Sequence, residues 1–211
     1  MSLFVTFEGT EGSGKSTQIT MLAERLLALG YHVVQTREPG GTALGEAVRG
    51  IVLDSELHIG AATEAYLMTA ARAEHVERVI RPALAAGAIV LSDRYVDSTI
   101  AYQGAGRGLP VDELRAMQEL AIDGLWPDLT LLLDLPVEVG LARRASAGDA
   151  NRIDRERRDF HERVGAWFRA EAVRDTQRWR IVDAQPTASI VHTEVFGLVM
   201  ARLSLGQAAG V

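Results

Sequence analysis

The stretch LFVTFEGTEGSGKST, Leu3 to Thr17, decides the fold. Its first half is an apolar, β-branched run that predicts a buried strand. Its second half matches G-x-x-x-x-G-K-[ST] at Gly9, Gly14, Lys15 and Ser16. Beyond it, Ile19, Leu22, Leu26 and Leu29 recur at three- and four-residue steps, marking one face of a helix that stops near Gly30. A strand, a glycine turn and a helix in that order let backbone N–H groups converge on phosphate oxygens at the positive end of the helix. Gly9, Thr10, Glu11, Gly12, Ser13, Gly14, Lys15, Ser16 and Thr17 are therefore the expected seat of a nucleoside triphosphate. Lys15 is expected to reach the β- and γ-phosphates and Ser16 to ligate Mg²⁺. Glu11 is the misfit, a carboxylate inside a loop built for anions.

Strand and helix patterns alternate along the rest of the chain. Strands are expected at His32–Thr36, Ala88–Leu91, Leu129–Leu133 and Arg180–Val182. Helices are expected at 44–53, 61–84, 111–125, 137–145, 155–176 and 188–203. Five strands separated by helices imply an α/β fold, a three-layer α/β/α arrangement around a parallel five-stranded sheet. The whole chain, 1–211, reads as a single domain with a mobile lid at about 145–154 and a frayed tail over Gly206–Val211.

Composition narrows the function. Lys15 is the only lysine among 22 basic residues, and Asn151 is the only asparagine. An N-K-x-D base-reading motif of regulatory GTPases therefore has no place to form. A net charge of −6 argues against nucleic acid as a partner. The absence of cysteine excludes disulfides. No bilayer-spanning run or secretory leader is read, so a cytoplasmic location and no membrane partner are expected.

Two further segments separate a kinase from a plain ATPase. AIVLSDR, Ala88 to Arg94, is an apolar strand ending in Asp93 and Arg94. Strand ends in such sheets face the ligand crevice, which puts Asp93 at the Mg²⁺ shell and Arg94 on a second phosphate. ARRASAGDANRIDRERR, Ala142 to Arg158, carries arginines at 143, 144, 152, 155, 157 and 158 around a small-residue stretch. Phosphoryl transfer to a small acceptor must exclude water and neutralise the transferring group, and a hinged flap bearing arginines does both. Arg143 and Arg152 are the favoured lid residues.

The segments FEGTEGSGKST, TREPGGT (Thr36–Thr42), AARAEHVE (Ala70–Glu77), SDRYVDSTIAYQGAGRG (Ser92–Gly108), PDLTLLLDLP (Pro127–Pro136) and NRIDRE (Asn151–Glu156) together resemble the thymidylate kinases. That resemblance implies a P-loop nucleoside monophosphate kinase-like fold and transfer of a phosphoryl group from ATP, with Mg²⁺, to dTMP in dTTP biosynthesis. It implies that Met68 stands where an aromatic ring usually stacks on the thymine, and that Arg72 bonds a thymine carbonyl. Ser98, Thr99, Tyr102 and Gln103 match the nucleoside-contacting segment, with Tyr102 near the sugar. Arg37 and Arg94 would hold the acceptor phosphate. Glu11 would meet the deoxyribose 3′-hydroxyl or the Mg²⁺ shell. Lys15, Arg94, Arg143, Arg152 and Glu11 form the implied catalytic set. Gly12 after Glu11, with an arginine-rich lid, resembles the bacterial arrangement, and a homodimer is expected. A deoxynucleoside kinase and a noncatalytic nucleotide-binding regulator are the alternatives.

Overall fold

Leu3–Glu8 forms β1, whose six residues are all buried: a strand pairs with each of its edges and helices cover both faces. The computed structural model describes residues 2–54, 56–148 and 151–208. Strands β2 (Val33–Arg37), β3 (Ile89–Asp93), β4 (Leu129–Asp134) and β5 (Trp179–Asp183) complete a parallel sheet in the order β2-β3-β1-β4-β5. Apolar side chains on both faces of β1, β3 and β4 are what a sheet covered on both sides requires.

On one face, α1 (Lys15–Ala28) and α9 (Ala188–Ala208) pack Ile19, Leu22 and Leu26 with Val191, Val195, Val199 and Leu203. On the other lie α3 (Ala61–His75), α4 (Arg81–Ala85), α5 (Val96–Thr99), α6 (Val111–Ile122) and α8 (Arg158–Arg174). The helices α2 (Ala43–Leu53) and α7 (Val137–Ala147) flank the strand ends. By length and composition α9 could cross a membrane, but its valine stripe is part of the core.

The expected helix over 61–84 is α3 and α4 joined by a π-helical turn at Val76–Ile80. A helix absent from the periodicity reading runs from α5 through a second π-helical turn at Ile100–Gly106. Its sequence is buried nearly all round, so it carries no amphipathic signal. Leu29, expected on the buried face of α1, is 56% exposed because the helix ends one residue earlier. The expected start at 155 moves to Arg158, since Asn151 caps a turn through Oδ1 to the N–H groups of Ile153 and Asp154. The backbone is helical through Ala208, into the expected tail, and residues 209–211 lie outside the described residues.

Candidate active site

All five strands end at one edge, which brings Glu8, Arg37, Asp93, Asp134 and Asp183 to the same side of the sheet. The chain leaves β1 there as the phosphate loop. Gly14, at φ 92°, starts α1 in a conformation that a side chain would strain. Lys15 is buried and its Nζ donates to the carbonyls of Gly9 and Thr10, both at 3.0 Å. Burial first, then the nearby Arg94 guanidinium, lower its pKa to about 8. Gly12 sits at φ 72°, and a Cβ there would lie 2.2 Å from the Gly140 carbonyl oxygen. The loop therefore packs directly on the backbone of α7, a contact that two glycines make possible.

Ser16 and Asp93 are 77 positions apart, yet Ser16 Oγ donates to Asp93 Oδ2 at 2.7 Å. A hydroxyl and a carboxylate beside a phosphate loop are the hard oxygen donors that Mg²⁺ takes. The donor chemistry fits the ion.

Arg94 follows Asp93 with φ 72°, a left-handed backbone unusual for a side-chain-bearing residue. Its Nη2 donates to Glu11 Oε1 at 2.8 Å, and its Nη1 to the Gly9 carbonyl and Ser98 Oγ. Tyr102 Oη lies 2.8 Å from both Glu11 oxygens, and His161 Nδ1 is 3.5 Å from Oε2. Burial alone would raise the Glu11 pKa; Arg94, His161, Lys15 and Tyr102 outweigh it and bring it to about 2. The misfit acid is thus ionised and surrounded by donors. Behind it, Glu8 accepts from Tyr95 N at 2.9 Å and Ser98 Oγ at 2.6 Å. Burial, reinforced by Asp97, pushes the Glu8 pKa up to about 8.

A cavity of about 390 Å³ opens over these groups, lined by Glu11, Lys15, Ser16, Asp93 and Arg94 together with Met68, Ser98, Tyr102 and Gln103. Arg37 and Arg49 also line it. Arg37 Nη2 bonds Glu46 at 2.9 Å, and Arg49 Nη1 bonds the Pro39 carbonyl at 3.2 Å. Thr99 and Arg72 lie behind this wall. Arg72 is buried, and its donors go to Glu38, Thr99, Gln118 and the Tyr95 carbonyl. His75 joins the same Glu38 through Nδ1 at 2.9 Å.

The expected lid forms one wall, with Arg144, Asn151, Ile153 and Asp154 facing the cavity; residues 149 and 150 lie outside the described residues. The lid arginines divide. Arg143 Nη1 reaches the Gly12 carbonyl at 3.5 Å and that of Ala184 at 3.3 Å. Arg144 pairs with Asp154 through Nε at 3.2 Å and Nη2 at 2.7 Å. Arg152 does not line the cavity; it bonds the Val52 carbonyl at 2.9 Å and Glu64 Oε2 at 2.5 Å.

The sequence gives no side-chain role to Glu8, Glu64, His75 or His161, and to Glu38 only a backbone role in the turn it begins. All are buried: Glu8, Glu38 and Glu64 bond Ser98, Arg72 and Gln103, His75 bonds Glu38 and Thr36, and His161 lies 3.5 Å from Glu11 with no hydrogen bond on either ring nitrogen. The HisXxxXxxVal run at the start of α8 has the spacing of an ordinary helix face, so only proximity to Glu11 sets His161 apart.

Comparison with known proteins agrees with this geometry. The model of the thymidylate kinase family matches residues 7–195. The thymidylate kinase of Thermomicrobium roseum is 56% identical over 208 residues, covering 98% of this chain and 99% of that protein. That of Ectopseudomonas mendocina is 48% identical, with 93% and 94% covered. The crystal structure of thymidylate kinase from Ehrlichia chaffeensis superimposes with a TM-score of 0.77 at 34% identity, covering 94% of this chain and 98% of that one.

Proposed function

The chain belongs to the thymidylate kinase family, and from that premise we propose that it transfers the γ-phosphoryl group of ATP to dTMP, giving dTDP and ADP. One observation carries the assignment of a monophosphate acceptor. Besides Lys15, the cavity that holds the phosphate loop is lined by three further cationic side chains, Arg37, Arg49 and Arg94. A nucleoside acceptor has no phosphate for these arginines to meet.

ATP rests on Gly9–Thr17, with Lys15 on the β- and γ-phosphates. Ser16 and Asp93 hold Mg²⁺, which when bound neutralises charge on the phosphate oxygens. dTMP lies across the strand ends with its phosphate on Arg94 and Arg37. Met68 covers the base, while Ser98, Tyr102 and Gln103 line its nucleoside, and Thr99 and Arg72 act from the wall behind. An anionic oxygen of the dTMP phosphate attacks the γ-phosphorus in line; the bond to the β,γ-bridging oxygen breaks and ADP leaves. The attacking oxygen carries no proton, so no general base is needed. Arg143, touching both the phosphate loop and Ala184, lies along the donor. Arg152 acts by holding the lid down, and residues 145–154 open to admit substrate and close to exclude water. Glu11 accepts from the 3′-hydroxyl, and its fixed negative charge turns a misplaced phosphate away.

The enzyme works as a cytoplasmic homodimer with ATP and dTMP as its partners, without nucleic acid or membrane. Tyr66 and Leu120, 67% and 87% exposed on α3 and α6, supply apolar surface for a second copy; sedimentation at micromolar concentration measures that state. The deciding assay offers dTMP and thymidine separately with ATP and Mg²⁺. Turnover of dTMP alone is expected; turnover of thymidine without dTMP overturns the assignment, and ATP binding without either product marks a noncatalytic regulator.

A further inference from the structure

Glu64 stands in the first turn of α3 with 0% exposure, and phosphoryl transfer as derived above makes no use of it. Two hydrogen-bond donors and one further cation nevertheless converge on its carboxylate. Gln103 Nε2 donates to Oε1 at 2.6 Å, and Arg152 Nη2 to Oε2 at 2.5 Å. Arg107 Nε lies 3.1 Å from the same Oε2. Set between two guanidinium groups, the carboxylate offers acceptors only, so the Gln103 amide must turn its NH₂ towards it.

That orientation has a consequence on the other side of the amide. Gln103 Oε1 is buried and has no hydrogen-bond partner, on a residue that lines the cavity. A buried acceptor without a donor is costly, and a ligand N–H that meets it recovers the loss. Thymine carries such a donor at N3, whereas cytosine has a lone pair there. Glu64 also holds Arg152, whose backbone N–H bonds the Leu53 carbonyl and whose segment forms one wall of the cavity.

We infer that Glu64 is a positioning residue that couples reading of the acceptor base to closure of the lid, by fixing the Gln103 amide with one oxygen and Arg152 with the other. The inference rests on the reading of dTMP as acceptor. It makes base discrimination and lid closure depend on one buried carboxylate.

The test compares kcat and KM for dTMP and dCMP, with ATP and Mg²⁺, across wild type, Glu64→Gln, Gln103→Leu, Arg152→Met and the two double variants containing Glu64→Gln. A glutamine at 64 can donate or accept, so it no longer dictates which way Gln103 faces. Glu64→Gln is expected to lower the dTMP-to-dCMP ratio of kcat/KM by about tenfold, the weight of one hydrogen bond. It should also lower kcat for dTMP. Arg152→Met should lower kcat and leave the ratio unchanged. Adding Glu64→Gln to Gln103→Leu should cost no further discrimination, and adding it to Arg152→Met no further kcat. An unchanged ratio in Glu64→Gln, or effects that multiply in both double variants, overturns the inference. Should Glu64→Gln fail to fold, as judged by circular dichroism, Glu64→Asp withdraws the carboxylate by one methylene and is expected to shift both readouts the same way; wild-type values from it would equally refute the coupling. Wild-type enzyme inactive on dTMP would instead refute the proposed function.

Discussion

Arg94 Nη2 lies 2.8 Å from Glu11 Oε1, so the acid within the phosphate loop is matched by the residue directly after Asp93. The left-handed backbone at Arg94 lets its side chain reach Gly9, Glu11 and Ser98 together. Such strain is held only where surrounding contacts over-determine it. Glu11→Gln keeps the shape and removes the charge. The variant should fold, bind ATP with little change, and lose roughly tenfold or more in kcat/KM for dTMP, the scale of a hydrogen bond to a charged group. Steady-state kinetics with each substrate varied checks this; equal values for dTMP would make Glu11 a bystander.

Ser16 and Asp93 already share a hydrogen bond, so a metal ion would find both donors in place. Ser16→Ala should raise the Mg²⁺ concentration needed for half-maximal activity several-fold, whereas Ser16→Thr should stay close to wild type. Chelation of divalent ions should abolish turnover. A Mg²⁺ titration at fixed ATP and dTMP reads all three.

Glu8 sets a pH dependence of stability. Its pKa is raised from 4.5 to about 8 by burial and by Asp97. Below pH 4.5 the carboxyl is protonated folded and unfolded alike, and it contributes no slope. Between 4.5 and about 8 the unfolded chain releases the proton while the folded one keeps it, so stability falls as pH rises. The slope is about 1.4 kcal/mol per pH unit at most. Glu8→Gln keeps the shape of the acid and an acceptor for Tyr95 N, and it removes the titration. Its Tm should match wild type near pH 4.5 and exceed it increasingly towards pH 8; Tm curves that stay parallel would show that Glu8 does not hold its proton.

Gly140 meets the phosphate loop backbone to backbone: a Cβ on it would lie 2.3 Å from the Glu11 carbonyl oxygen. Gly140→Ala must push the loop and α7 apart. Overpacking of this kind costs about 1–3 kcal/mol, a fall of roughly 2–12 °C in Tm for a chain of this size. The KM for ATP should rise with it, since the displaced segment carries Arg143. Thermal melting with and without ATP tests both effects, and a wild-type Tm would refute the close approach.

Much of this molecule was legible in local patterns. The apolar runs at Leu3–Phe7, Ala88–Leu91 and Leu129–Leu133 announced buried parallel strands, because a strand covered on both faces has no polar alternation. Gly9, Gly14, Lys15 and Ser16 lie within eight positions and need only their own backbone to make a phosphate loop. Periodicity does not show the helix over Val96–Gly106 for the opposite reason: burial on all sides erases the helical period, and only the resemblance puts Thr99 and Gln103 on one helical face.

The sequence by itself determined the sheet, the phosphate loop and the arginine-rich segment that begins in α7, since each is written in neighbouring residues whose spacing is dictated by backbone geometry. Only the tertiary structure decided what the charged groups do to one another. Glu11 meets Arg94 across 83 positions, Tyr102 across 91, and Glu64 meets Arg152 across 88. Electrostatic energy depends on distance and burial rather than on order along the chain. A glutamate that looked misplaced in one dimension is therefore the ionised partner of an arginine in three, and Arg152, expected over the phosphates, bonds Glu64 and the Val52 carbonyl.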